Sequence, residues 1–169
     1  MLTTTESKTM GLSEVSTLLW REREALQLLL FKLVEEQLIL SAGQTRWLAL
    51  ANDEIEAALD QLRGTEVLRA AEVDALADDL SLAGPPTLAE LAALSPEPWT
   101  TLFGEHRQAL LQLVTEVHDT TGHNRVLLAA GARSVRETLL SVTQTVQTYD
   151  SSGSTVAMPN GPMLMDEQA

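Results

Sequence analysis

Leu12, Leu19, Leu26, Leu33 and Leu40 recur every seven residues, and Trp47 stands at the next step. A seven-residue apolar repeat keeps one line of side chains on one face of an α-helix over many turns. Leu18, Leu29, Leu30 and Val34 widen that line. A helix with such a face cannot stay in water alone. It has to pack lengthwise on another helix, so the spacing predicts a fold built from long paired helices.

Hydrophobic residues make up 44% of the 169 positions but aromatics only 4%, and Leu and Ala dominate. Small and branched aliphatic side chains suit narrow helix-on-helix packing, so the expected shape is an elongated bundle. The breaks fit that expectation. A first helix is expected from about Leu12 to Ala42, with Ser13 as N-cap and Glu14 in its first turn. Gly43 is placed to take the left-handed position that ends it. Helical periodicity resumes at once, so the second helix, from about Gln44 to Leu82, returns antiparallel. Its apolar line is Trp47, Leu48, Ala51, Ile55, Ala58, Leu62, Leu68, Val73, Leu76 and Leu80, with Gly64 as a candidate kink.

Gly84-Pro85-Pro86 stops that helix. Thr87-Leu88-Ala89-Glu90 reads as a capping box, so Thr87 to Leu94 forms a short connecting helix. Ser95-Pro96-Glu97-Pro98 closes it, and Trp99 anchors a third long helix that reaches about Thr148. Leu102, Leu110, Leu113, Val114, Val117, Thr121, Leu128, Val135, Leu139, Val142 and Val146 form its apolar line. From Ser134 to Thr148 this helix is rich in Val, Thr, Ser and Gln, which have lower helix propensity. The fold class is therefore all-α: an antiparallel helical hairpin, a third long helix and a short connecting helix. The expected organisation is one helical domain over residues 1–150 and a disordered tail over 151–169.

The formal net charge is −13, which argues against nucleic acid and anionic membrane as partners. No apolar run approaches the ~20 residues that span a bilayer, and Met1 to Lys8 lacks the features of a signal peptide. There are no cysteines, which fits a reducing cytoplasm. The acid is concentrated in the first two helices. From Gly122 to Thr148, Arg125, Arg133 and Arg136 face Glu137 alone. That basic stretch either pairs with the acidic hairpin or serves as a docking face.

No catalytic constellation, cofactor motif or metal site is evident. His106, His118 and His123 form no i,i+4 pair and no zinc spacing, and read as solvated or helix-edge side chains. No Glu-x-x-His of the di-metal bundles occurs. A phosphotransfer His would need a nearby Lys, and the third helix has none. Glu35-Glu36, Asp53-Glu54 and Asp78-Asp79 read as solvated faces. Trp20 and Trp47 are expected at core or edge positions. Tyr149, the only tyrosine, is either a contact residue or packs back on the hairpin.

The order of these pieces resembles the FlgN-type flagellar export chaperones over roughly Leu12 to Gly153. The resemblance lies in the Ala42-Gly43 turn followed by Gln44-Thr45-Arg46-Trp47-Leu48, and in Leu68-Arg69. It continues in Thr87-Leu88-Ala89-Glu90-Leu91, in Asn124 with Leu127-Leu128, and in Tyr149-Asp150-Ser151-Ser152-Gly153. It implies a cytoplasmic, non-enzymatic chaperone for the hook–filament junction proteins FlgK and FlgL, whose C-terminal helical segments it keeps from self-associating before export. It also implies that the C-terminal helical region binds cargo and that Tyr149 contacts the export-gate protein FlhA. On this reading Leu128, Val135, Leu139, Val142 and Val146 form the cargo face, and any homodimer is weak. The chief alternative is a structural or adaptor bundle that forms a permanent homodimer through its C-terminal helix. A secreted helical hairpin is a lesser one, since its Trp-x-Gly turn is lacking.

Overall fold

A computed structural model of the chain describes residues 4–148, with side chains described from 9 to 142. All the regular structure among them is helical: α1 over Thr4–Ser41, a 3-10 turn over Thr45–Trp47, α2 over Leu48–Asp79, α3 over Leu88–Leu94 and α4 over Trp99–Thr148. The chain divides into a first compact unit, through Leu127, and a second from Leu128 onward.

In the first unit the leucine stripe is the core. Leu12, Leu19, Leu26 and Leu33 are all buried, and Leu40 is half-buried. The pairing of α1 with α2 is antiparallel: Arg69 of α2 bridges Glu22 early in α1, whereas Lys32 later in α1 reaches back to Glu54. One cluster joins Leu12, Val15 and Leu19 to Val73 and Leu76 of α2, Leu91 of α3 and Phe103 of α4. A second joins Ala25, Leu26, Leu29 and Leu33 to Ala58 and Leu62, with Leu110, Leu113 and Val117 of α4 packed against it. The first stretch of α4 runs parallel to α1, because His106 meets Ser16 and Asn124 meets Leu33. α2 has thus already returned the chain to the end where α1 begins, and the connector carrying α3 stays at that end, making an up-down-up arrangement.

α1 and α2 both end on a residue in the left-handed conformation, the first at a glycine that the sequence marks and the second at a serine that it does not. Gly43 has φ 65°, its N–H donates to the Leu40 carbonyl, and the Gln44 N–H donates to Ile39. This is the paired arrangement that ends a helix on a left-handed residue. The same pattern ends α2 at Asp79 rather than at Leu82. Ser81 takes φ 55°, its N–H bonds to Asp78, and the Leu82 N–H bonds to Ala77. Gly84-Pro85-Pro86 therefore lies beyond a helix that has already ended. The reason is packing: stopping there leaves Leu80 half-buried against the cluster around Phe103.

Other boundaries also move. α1 begins at Thr4, and Ser13 is an interior residue whose carbonyl accepts from Thr17 Oγ1. Leu12 and Val15 are each 1% exposed, so their burial holds helical turns ahead of them despite modest local propensity. A Cβ on Gly11 would lie 3.1 Å from Leu76 Cδ1, showing how closely α2 approaches here. Residues Thr45–Trp47 form a 3-10 turn before α2 instead of its first turn. α2 continues through Gly64. Leu68, expected on the apolar line, is 56% exposed, because the line from Leu62 passes to Val73 and the intervening turn places Arg69 inward instead.

The connecting helix forms as its capping box dictates. Thr87 Oγ1 accepts from the Glu90 N–H at 3.3 Å, and the Thr87 N–H donates to Glu90 Oε2 at 2.8 Å. These bonds hold the Glu90 carboxyl below its ordinary pKa, the backbone N–H first and the hydroxyl second. Thr87→Ala should lower stability by about 1 kcal/mol and raise the Glu90 pKa. Urea denaturation and a carboxyl-resolved NMR titration would read the two effects. An unchanged Glu90 titration would mean that the Thr87 hydroxyl does not reach the Glu90 carboxylate in solution.

Candidate docking surface

The polar residues that join α1 to α4 are a main departure from the sequence reading. His106, expected in solvent or at a helix edge, is fully buried. Its Nε2 lies 3.4 Å from Ser16 Oγ, its ring meets Trp20 edge-on at 5.0 Å, and its Nδ1 is sealed without a hydrogen bond. Burial, and then the positive charge of Arg23, push its pKa down to about 4. His106 is therefore a neutral core side chain. His118, by contrast, is exposed beside Asp119.

Further along, Asn124 is 2% exposed. Its amide nitrogen donates to the Leu33 carbonyl at 2.8 Å and to Glu36 Oε2 at 2.7 Å. Glu36, read as part of a solvated carboxylate face, is buried by that contact. A buried amide that must meet a particular carbonyl and carboxylate fixes the register between two helices, since a slip would strand all three groups. Two heptads earlier on α1, Glu22 is buried against Arg69. Its pKa is raised, chiefly by desolvation and also by Glu66, with Arg69 acting against both.

The second unit is different. Every side chain from Leu128 to Val142 is exposed. Leu128, Val135, Leu139 and Val142, four of the five residues expected to form a cargo face, are 41–62% exposed on one helix. Leu128, Val135 and Val142 keep the seven-residue step, with Leu139 between the last two. The side chain of Val146 and the whole of Tyr149 lie outside the described residues, as does the segment expected to be a disordered tail. Leu140, at 58% exposed, belongs to the same apolar segment. It falls off the seven-residue step, so periodicity gave no sign of it. The neighbouring side chains are Ala, Ser, Thr and Arg, with Glu137 the one carboxylate.

Among the described residues no group of three or more His, Cys, Asp or Glu could hold a metal ion. No described helix is long and apolar enough to cross a membrane. Trp47 and Trp20 are half exposed, each beneath an arginine guanidinium, Arg46 at 4.9 Å and Arg23 at 4.2 Å. Trp99 stacks on the buried Phe103 at 5.9 Å and anchors the start of α4.

Fold and surface thus define an all-α bundle with an exposed apolar helical segment. The family model described as FlgN protein matches residues 10–157, and the chain belongs to the FlgN family. No curated relative and no solved structure matches it.

Proposed function

We propose that this protein is a cytoplasmic chaperone of flagellar type III export. It binds the C-terminal helical segments of FlgK and FlgL, prevents their premature self-association and delivers them to the export gate through FlhA. The observation that carries this reading is the exposed apolar segment Leu128–Val142, in a chain of the FlgN family. An incoming amphipathic helix would lay its apolar face on Leu128, Val135, Leu139, Val142 and Val146. The low helix propensity of Ser134 to Thr148 suits such a role. Ordering on binding offsets part of the contact energy and leaves an affinity from which cargo can be released.

The test is a pull-down with purified FlgK and FlgL, each with and without its C-terminal helical segment. Binding to the intact proteins and its loss on truncation are expected. Failure to bind either intact protein would overturn the proposal. Tyr149→Ala should leave cargo affinity unchanged and weaken binding of the loaded chaperone to FlhA; a drop in cargo affinity instead would place Tyr149 in the cargo site. The same apolar segment would also serve a permanent homodimer. That reading predicts a dimer that persists at nanomolar concentration in analytical ultracentrifugation, whereas a chaperone face predicts a monomer or weak dimer.

A further inference from the structure

The second unit carries a glycine inside its helix. Gly131 lies in the interior of α4, and glycine is a poor helix former. No packing among the described residues requires it: a Cβ at Gly131 would meet nothing within 4 Å. Gly11 shows what a glycine on a packed helix face does in this protein. A Cβ there would lie 3.1 Å from Leu76 Cδ1, so the missing side chain gives room to a leucine of the neighbouring helix.

Its place on α4 gives Gly131 the same meaning. It stands three residues after Leu128 and four before Val135, on the exposed apolar line. With Ala132 these residues occupy positions i, i+3, i+4 and i+7, the set that makes a hole for one side chain of a facing helix. Glycine and alanine hold the two middle places, so this hole is deep. The next such set, Val135, Thr138, Leu139 and Val142, has threonine and leucine in the middle and is shallow. The line also continues a face that already holds a helix. Leu110, Val117 and Asn124 pack on the hairpin and recur every seven residues. Leu128 follows four residues on, and Val135 and Val142 resume the step of seven. Steps of four and seven both keep to one face of a helix, so the fitting occupant of the exposed part is again a helix. We infer that Leu128, Gly131, Ala132 and Val135 form a socket for one bulky side chain of the docked helix: leucine, methionine or phenylalanine. That helix carries a smaller apolar residue seven positions away, against the shallow set. This inference rests on the cargo reading for the identity of the helix, a segment of FlgK or FlgL, and adds the side-chain pattern that the face selects.

Intact FlgK and FlgL are titrated by calorimetry into the full chain and into Gly131→Leu, Ala132→Leu and Gly122→Leu. Leucine at 131 raises helix propensity and adds exposed apolar area. Without a socket it would therefore bind cargo as tightly as the parent or more tightly. Filling a socket does the opposite, and the expected result is a loss of affinity of about tenfold or more in Gly131→Leu and in Ala132→Leu. Gly122 is also exposed with nothing within 4 Å of its Cβ position, but it stands two residues before Asn124 and so lies off the line. Gly122→Leu should bind as the parent does. Circular dichroism should show all three variants at least as helical as the parent, which separates a filled socket from a lost fold. Ala132→Leu barely changes helix propensity and decides the question if Gly131→Leu does not fold. Parent-like or tighter binding by the folded socket variants, or equal weakening by Gly122→Leu, would overturn the inference and leave the cargo reading standing. No binding by the parent chain would overturn the cargo reading and the socket with it.

Discussion

Leu139→Asp is expected to weaken binding of FlgK and FlgL by about 100-fold or more while leaving the fold intact. Leu139 is 62% exposed, so the free protein loses almost no buried apolar area. An aspartate in mid-helix costs well under about 1 kcal/mol in propensity, and exposed substitutions change stability by about 0.5 kcal/mol or less in most cases. In the complex the balance reverses. The leucine would contribute roughly 1.5–3 kcal/mol of apolar burial, and a carboxylate there would have to shed water without a partner. The losses add to about 3 kcal/mol or more, which is about two orders of magnitude in affinity. Unchanged binding to a folded variant would remove Leu139 from the cargo face. Unfolding of the variant would show that this side chain is structural.

His106 should make the protein lose stability on mild acidification. Its folded pKa is about 4, below the ordinary value near 6.5. Between these values the unfolded chain takes up a proton that the folded chain refuses, so stability falls as the pH drops from about 6.5 toward 4. Between pH 7 and pH 5 the loss is about 2 kcal/mol. The physical cause is burial: the ring has no room to hydrate a charge, its Nδ1 has no acceptor, and Arg23 repels it. Glu22 works in the opposite direction. Its raised pKa means that the folded state binds a proton more readily, so its burial penalty eases as pH falls toward the carboxylate range. The comparison with a variant therefore matters. His106→Phe keeps an aromatic ring beside Trp20, and Ser16 can turn to a carbonyl of its own helix. Urea midpoints at pH 7 and pH 5 should separate by about 2 kcal/mol more in the parent chain than in the variant. Equal separations would mean that the α1–α4 seam is already hydrated around His106.

The two effects bear on different parts of one helix. Acidification acts on the seam that holds the first stretch of α4 to α1, and Leu139→Asp acts on the exposed segment. A pH-dependent loss of cargo binding that persists in His106→Phe would therefore arise in the exposed segment or the cargo and not in the core.

The local sequence by itself determined where the chain turns and which helices form. The seven-residue leucine step placed α1's buried face, since a repeat near the helical period has one energetically acceptable orientation. Gly43, the Thr87–Glu90 box and the Pro98–Trp99 start fixed their boundaries, because cap chemistry acts within a few residues. The exposed residues of the second unit were legible as an apolar line, but a line of that kind looks the same whether it is covered or open. Tertiary structure alone decided which polar side chains go inside. His106, Asn124, Glu36 and Glu22 carry no local mark of burial, and each became interior because of the residue opposite: Ser16, the Leu33 carbonyl, Asn124 and Arg69. It also moved the ends of α1 and α2, where burying Leu12, Val15 and Leu80 outweighs the propensities of the Thr-rich start and of Ser81 in a left-handed conformation. Packing is a property of pairs distant in sequence, and a pattern read along one helix cannot report its partner.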